Sequence, residues 1–132
     1  MTALAGSDPA SALRWLDSFR SERAREEVSA AGLESTCRHR ETYPSALREL
    51  PDAPATLYVA GGLERLAALT RAPAVAVVGA RDATAYGLEV ATALGQGLSA
   101  AGVTVVSGLA LGVDAAAHRG ATDAGGRAVA VL

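Results

Sequence analysis

Residues 75–87 read V-A-V-V-G-A-R-D-A-T-A-Y-G, and this stretch holds the residue types best suited to gripping an anion. An apolar run leads into Gly79, followed by Ala80, Arg81 and a Thr84 placed to begin a helix. Residues 103–114 repeat the logic as V-T-V-V-S-G-L-A-L-G-V-D. A buried parallel strand that ends in glycine and feeds a helix leaves backbone N–H groups unpaired where the helix dipole favours negative charge. Arg81 adds a planar fork matched to phosphate. The candidate phosphate-binding residues are therefore Gly79, Ala80 and Arg81 in the first turn, and Ser107, Gly108, Leu109 and Ala110 in the second.

Other phosphate chemistries fail on spacing. A dinucleotide fingerprint needs G-x-G-x-x-G and an acidic residue about 20 positions on. The first turn is Gly79-Ala80-Arg81, and the next strand ends in Val106-Ser107-Gly108 with no Asp or Glu. A P-loop needs lysine, and all 12 basic residues are Arg. Asp114 and His118 stand four apart on a helix, where they share a face and can hydrogen-bond. Asp114 in a first turn also complements the dipole. With no nucleophile or metal ligand around them, they read as a structural pair, and no catalytic residue is assigned. Cys37 and His39 lack partners at metal-ligand spacing. No cofactor and no metal is expected. Tyr86 is open between stacking on a base and packing on the neighbouring loop.

Periodicity supplies the elements that must position these residues. Residues 1–9 read as a loose terminus. From Ala10 to about Ala31, Leu13, Leu16, Ala24, Val28 and Ala31 fall near one face of a helix, with Gly32 as its C-cap. Trp15 and Phe19 are expected to anchor it. The segment 34–56 is polar and broken by Pro44, Pro51 and Pro54, with room for one short helix near 45–50. A strand at 57–60 and a small helix at 63–69 follow. Beyond Pro73 the pattern becomes β-α-β-α-β: strands 75–79, 103–107 and 128–132, and helices 85–101 and 113–124 capped by glycines. Apolar strands alternating with helices imply a Rossmann-like, doubly wound parallel sheet of the α/β class. The expected organisation is a helical region at 10–42, a linker with a short strand and helix at 43–73, and the sheet domain at 74–132. A sheet of this kind ordinarily continues past a strand such as 128–132, so a longer parent protein is expected.

Composition sets the outer limits. The 132 residues suffice for one domain with a core. A net charge of −2 argues against a binder that coats DNA along a basic face, so any nucleic acid is expected in a local pocket. The apolar runs are far shorter than the roughly 20 residues of a membrane span. The N-terminus shows no basic start or adequate apolar stretch of a signal peptide. One cysteine cannot form an internal disulfide. A cytoplasmic protein is the expectation.

The segments Y-P-S-A-L at 43–47, L-Y-V-A-G at 57–61, residues 75–87, V-V-S-G-L-A-L-G-V-D-A-A-A-H-R-G-A at 105–121 and G-G-R-A-V-A-V-L at 125–132 strongly resemble the DNA-processing protein A (DprA/Smf) family. The resemblance implies an extended Rossmann-like domain that binds single-stranded DNA and assists loading of the RecA recombinase during natural transformation. It also implies a homodimer and a phosphate pocket at the turn after the first strand. The family's Gly-Ser-Arg is Gly79-Ala80-Arg81 here, which removes one hydroxyl. The family's sheet continues past the position of Leu132, and further basic residues, the dimer surface and the RecA surface are expected there. The rival reading is an enzyme, a nucleotide phosphoribohydrolase of the lysine-decarboxylase-like group. It needs P-G-G-x-G-T-x-x-E, of which only Gly125-Gly126 occurs.

Overall fold

The computed structural model describes residues 10, 11, 13, 14 and 20–132. Two units of sheet are built along the chain. The first is an antiparallel pair, β1 (Leu33–Cys37) and β2 (Thr56–Ala60), in register from Leu33 opposite Ala60 to Cys37 opposite Thr56. The second is a parallel sheet of β3 (Ala74–Ala76), β4 (Thr104–Ser107) and β5 (Ala128–Ala130), in that order. Helix α1 (Ser21–Ala30) precedes β1, and α2 (Ser45–Arg48) lies between β1 and β2. Helix α3 (Leu63–Arg71) leads into the parallel sheet, and α4 (Ala85–Ala100) and α5 (Val113–Asp123) cross between its strands. The expected α/β, Rossmann-like parallel sheet is present.

The front of the chain departs from the sequence reading in two places. Arg20 is extended, at φ −111° and ψ 101°, so the helical pattern is not continuous from 10 to 31 and α1 begins after that residue. Trp15, Phe19 and residues 1–9 lie outside the described residues. The polar segment after Gly32 forms β1, whose Thr36 is buried and hydrogen-bonds Thr42 through the two hydroxyls at 2.7 Å. Polarity alone hid this strand, because its inward residue is a threonine. The Y-P-S-A-L turn is fixed by Tyr43, which is buried and donates its hydroxyl to the Pro54 carbonyl at 2.8 Å. Glu34 of β1 accepts from the Leu63 N–H at 3.2 Å and so supplies the cap that Gly62 cannot offer α3.

Right-handed crossovers between neighbouring parallel strands put α4 and α5 on one face of the sheet. Val77 and Val105 point to that face and pack with Ala117 and Ala121, surrounded by Leu98, Val113 and Ala128. The opposite face meets α3 through Thr104, whose hydroxyl reaches the Leu69 carbonyl at 3.4 Å. Towards the strand ends this second face is open, with Val78 73% and Val131 62% exposed.

Small residues set how closely α4 and α5 approach. A Cβ on Gly95 would run into the Ala117 carbonyl, and one on Gly120 into the Thr92 carbonyl. Each helix thus presents bare backbone to the other, with Ala91 and Ala121 filling the seam. Helix α5 ends in a Schellman turn: Gly125 at φ 69° donates to Thr122, and Gly126 donates to Ala121, both at 2.9 Å.

The glycines of α4 and α5 therefore predict opposite signs. Gly95→Ala or Gly120→Ala should destabilise by at least about 1–3 kcal/mol, since the obstructing atom is backbone. Gly97 has nothing within 4 Å of its missing Cβ, and Gly97→Ala should stabilise by about 0.5–1 kcal/mol. Thermal and denaturant melts of the three variants check both signs.

Candidate functional site

The parallel sheet ends by handing its hydrogen bonds to a side chain. Beyond β3 one further ladder bond forms, from the Val77 N–H to the Val106 carbonyl at 2.9 Å. The next inward donor, the Gly79 N–H, meets Asp114 Oδ1 at 3.3 Å. The Gly108 N–H, just after β4, meets Asp114 Oδ2 at 3.2 Å. One carboxylate, 7% exposed at the second position of α5, thus bridges both glycine turns.

Backbone contacts close the same joint. The Val113 N–H donates to the Ala80 carbonyl at 3.2 Å. Gly112, at φ 85°, lies so close that an added Cβ would strike the carbonyls of Ala80 and Arg81. A Cβ on Gly79 would stand 2.8 Å from the Val113 side chain. Only glycine allows the two turns to touch at both points. Thr84 caps α4 as expected, accepting from the Gly87 N–H at 3.1 Å.

These bonds divide the sequence-derived residues into two sets. The N–H groups of Gly79 and Gly108 are committed to Asp114. Ser107 is also committed: it is 4% exposed and donates its hydroxyl to the Val77 carbonyl at 2.6 Å. Its hydroxyl ties β4 to β3 and does not face a ligand. The N–H groups of Ala80, Arg81, Leu109 and Ala110 have no partner among the described residues. The Arg81 guanidinium is exposed and makes no ion pair or hydrogen bond among the described residues. An anion would thus meet one free planar cation and four unpaired backbone donors from two joined turns.

Asp114 was legible as a dipole complement but not as the bridge between turns, because its partners are backbone groups 35 and 6 residues away. The expected Asp114–His118 hydrogen bond does not form, and His118 Nε2 is buried without a partner among the described residues. Tyr86, in the first turn of α4, is 76% exposed. Leu109 has φ 56°, the one positive value outside glycine among the described residues. That region costs a side chain with a Cβ roughly 1–2 kcal/mol.

A sequence model of the DNA recombination-mediator protein A family matches residues 34–132. The chain belongs to this family. It is 40% identical over 90 residues to Protein Smf of Synechocystis sp., covering 68% of this chain and 23% of that protein. Among solved structures it is similar to DNA processing protein A of Streptococcus pneumoniae, with a TM-score of 0.78 and 32% identity. That match covers 96% of this chain and 42% of the pneumococcal one. DNA processing protein A from Helicobacter pylori, solved for its single-stranded DNA binding mode, matches with TM-score 0.56 and 32% identity over 67% of this chain and 38% of its own. The chain therefore spans well under half of the length of these family members.

The bridge makes Asp114 a structural requirement of the paired turns. Asp114→Ala removes the shared acceptor of two N–H groups, and a hydrogen bond to a charged group contributes about 1.5–3 kcal/mol. Both bonds are long for a charged acceptor, which favours the lower part of that range. The variant should melt at a lower temperature, and amide exchange should accelerate first at Gly79 and Gly108. Asp114→Asn keeps one acceptor oxygen and should fall between.

Proposed function

We propose that this chain is part of a single-stranded DNA-binding module that acts without catalysis and grips the strand by its phosphates at the paired glycine turns. Arg81 takes a phosphate by bidentate hydrogen bonds, and the N–H groups of Ala80, Arg81, Leu109 and Ala110 complete the cradle. Gly79, Ser107 and Gly108 shape that cradle from behind. The observation that carries this reading is the free guanidinium of Arg81 beside four unpaired backbone donors. The single-stranded DNA binding of the H. pylori relative supports it. Such a site reads backbone and not base edges, so its sequence preference is low.

In its full-length form the protein is proposed to work as a homodimer in the cytoplasm, delivering DNA taken up by the cell to RecA. The family's description as a recombination mediator supports that role. An enzymatic role draws no support from the glycine pair that suggested it, since Gly125-Gly126 caps α5. Asp114, the carboxylate that joins the two turns, is turned inward onto backbone donors. Nucleoside monophosphates incubated with the protein should give no free base.

The test is a titration of labelled single strands against wild type, Arg81→Ala and Arg81→Lys at several salt concentrations. Losing a hydrogen bond to a charged group costs about 1.5–3 kcal/mol, so Arg81→Ala should weaken binding roughly ten- to over a hundredfold. The slope of log affinity against log salt should shrink by about 0.7 for one lost phosphate. Arg81→Lys should recover affinity only in part, because an ammonium cannot reproduce the fork. Equal affinity of Arg81→Ala and wild type, with the fold intact by circular dichroism, would remove the phosphate assignment.

A further inference from the structure

The second glycine turn holds a residue that the fold itself gives no reason to keep. Leu109 sits in the left-handed region at φ 56°, where glycine or asparagine is far better tolerated. Its side chain is 53% exposed, so it does not repay the strain by filling the core. Two residues on, Leu111 is 79% exposed. Both flank Ala110, one of the unpaired donors, and both lie within three residues of Gly112, whose backbone touches the Arg81 carbonyl. Three residues of chain span at most about 11 Å, so this apolar tip stands beside the phosphate cradle.

We infer that Leu109 and Leu111 form an apolar tip that packs against nucleobases of the strand whose phosphates Arg81 holds. The inference rests on the proposed single-stranded DNA binding and adds a second contact of different chemistry. A phosphate cradle alone would hold any polyanion, including duplex DNA. An apolar tip next to it gains only from a ligand that offers unstacked base faces alongside its phosphates, and a single strand does so. The continuity of the tip with the cradle is what selects this occupant over an unrelated apolar partner.

Leu111→Ser and Leu111→Gln each remove an exposed apolar side chain from the tip and leave the residues of the proposed cradle as they are. Each should be titrated, in the full-length gene product, against oligothymidylate and against an abasic strand of the same length and charge. Wild type should prefer the strand that carries bases. Both variants should lose about tenfold on oligothymidylate, leave abasic binding and the salt slope unchanged, and melt no lower than wild type. Leu111→Met, which keeps an apolar side chain, should retain most of the preference. Variants that bind oligothymidylate like wild type would overturn the inference while leaving the Arg81 cradle standing. A lower melting temperature would also overturn it, because the leucine would then be packed within the protein. If wild type binds neither strand, the proposed function fails and the apolar tip fails with it.

Discussion

The shared acceptor at Asp114 is the constraint on which the site depends. Two strands of a parallel sheet run out at adjacent points, and each leaves an inward N–H just past its last ladder bond. A single carboxylate takes both. It holds the two turns at a fixed separation that no side-chain contact between the turns themselves would impose. The arrangement also divides the donors: two meet a negative group, and those of Ala80, Arg81, Leu109 and Ala110 have no partner among the described residues. An incoming anion would have that carboxylate behind the cradle, which makes a permanent cation at position 81 more than an accessory. Coulomb repulsion from a partly buried charge is screened less than that between surface charges.

Asp114 reaches both glycines from the first turn of α5. Further along, that helix is held against the sheet by Ala117 and Ala121, which pack on Val77 and Val105, and against α4 where Gly120 and Gly95 let the two helices meet backbone to backbone. The small residues of α5 thus serve the packing that carries the carboxylate. Ser107 serves the same end from the strand side, since its hydroxyl bonds the Val77 carbonyl.

The parallel half of the molecule was largely legible because each signal was local. Apolar runs marked strands, the glycine-closed segment 85–101 between two of them marked α4, and Thr84 announced its own cap. Thr36 defeated the same approach: a strand whose inward residue is polar leaves no apolar alternation to read. Arg20 defeated it too, since residues on either side of it fit a helical period and only the backbone shows the interruption. At the site, sequence picked out the two turns but assigned all their N–H groups to a ligand. Which donors are already taken depends on contacts between residues far apart in the chain. Ser107 shows the same gap, for a hydroxyl at a strand end can face a ligand or a neighbouring carbonyl, and composition does not separate the two.

Building a cradle from peptide groups has a consequence for how such a site varies over evolutionary time. Every residue except proline carries the same N–H, so positions 80 and 110 can drift among many side chains while the donors they contribute stay in place. What is held fixed instead is the scaffolding that carries no ligand: the glycine at 112, the carboxylate at 114, the small residues in the helix seam. A comparison of related sequences would then show its sharpest constraint one layer behind the surface proposed to bind, and would show near-neutral drift on that surface itself. Ala80, set against a serine by the sequence resemblance, would be a case in point, a change of side chain that leaves the peptide donor of the first turn as it was.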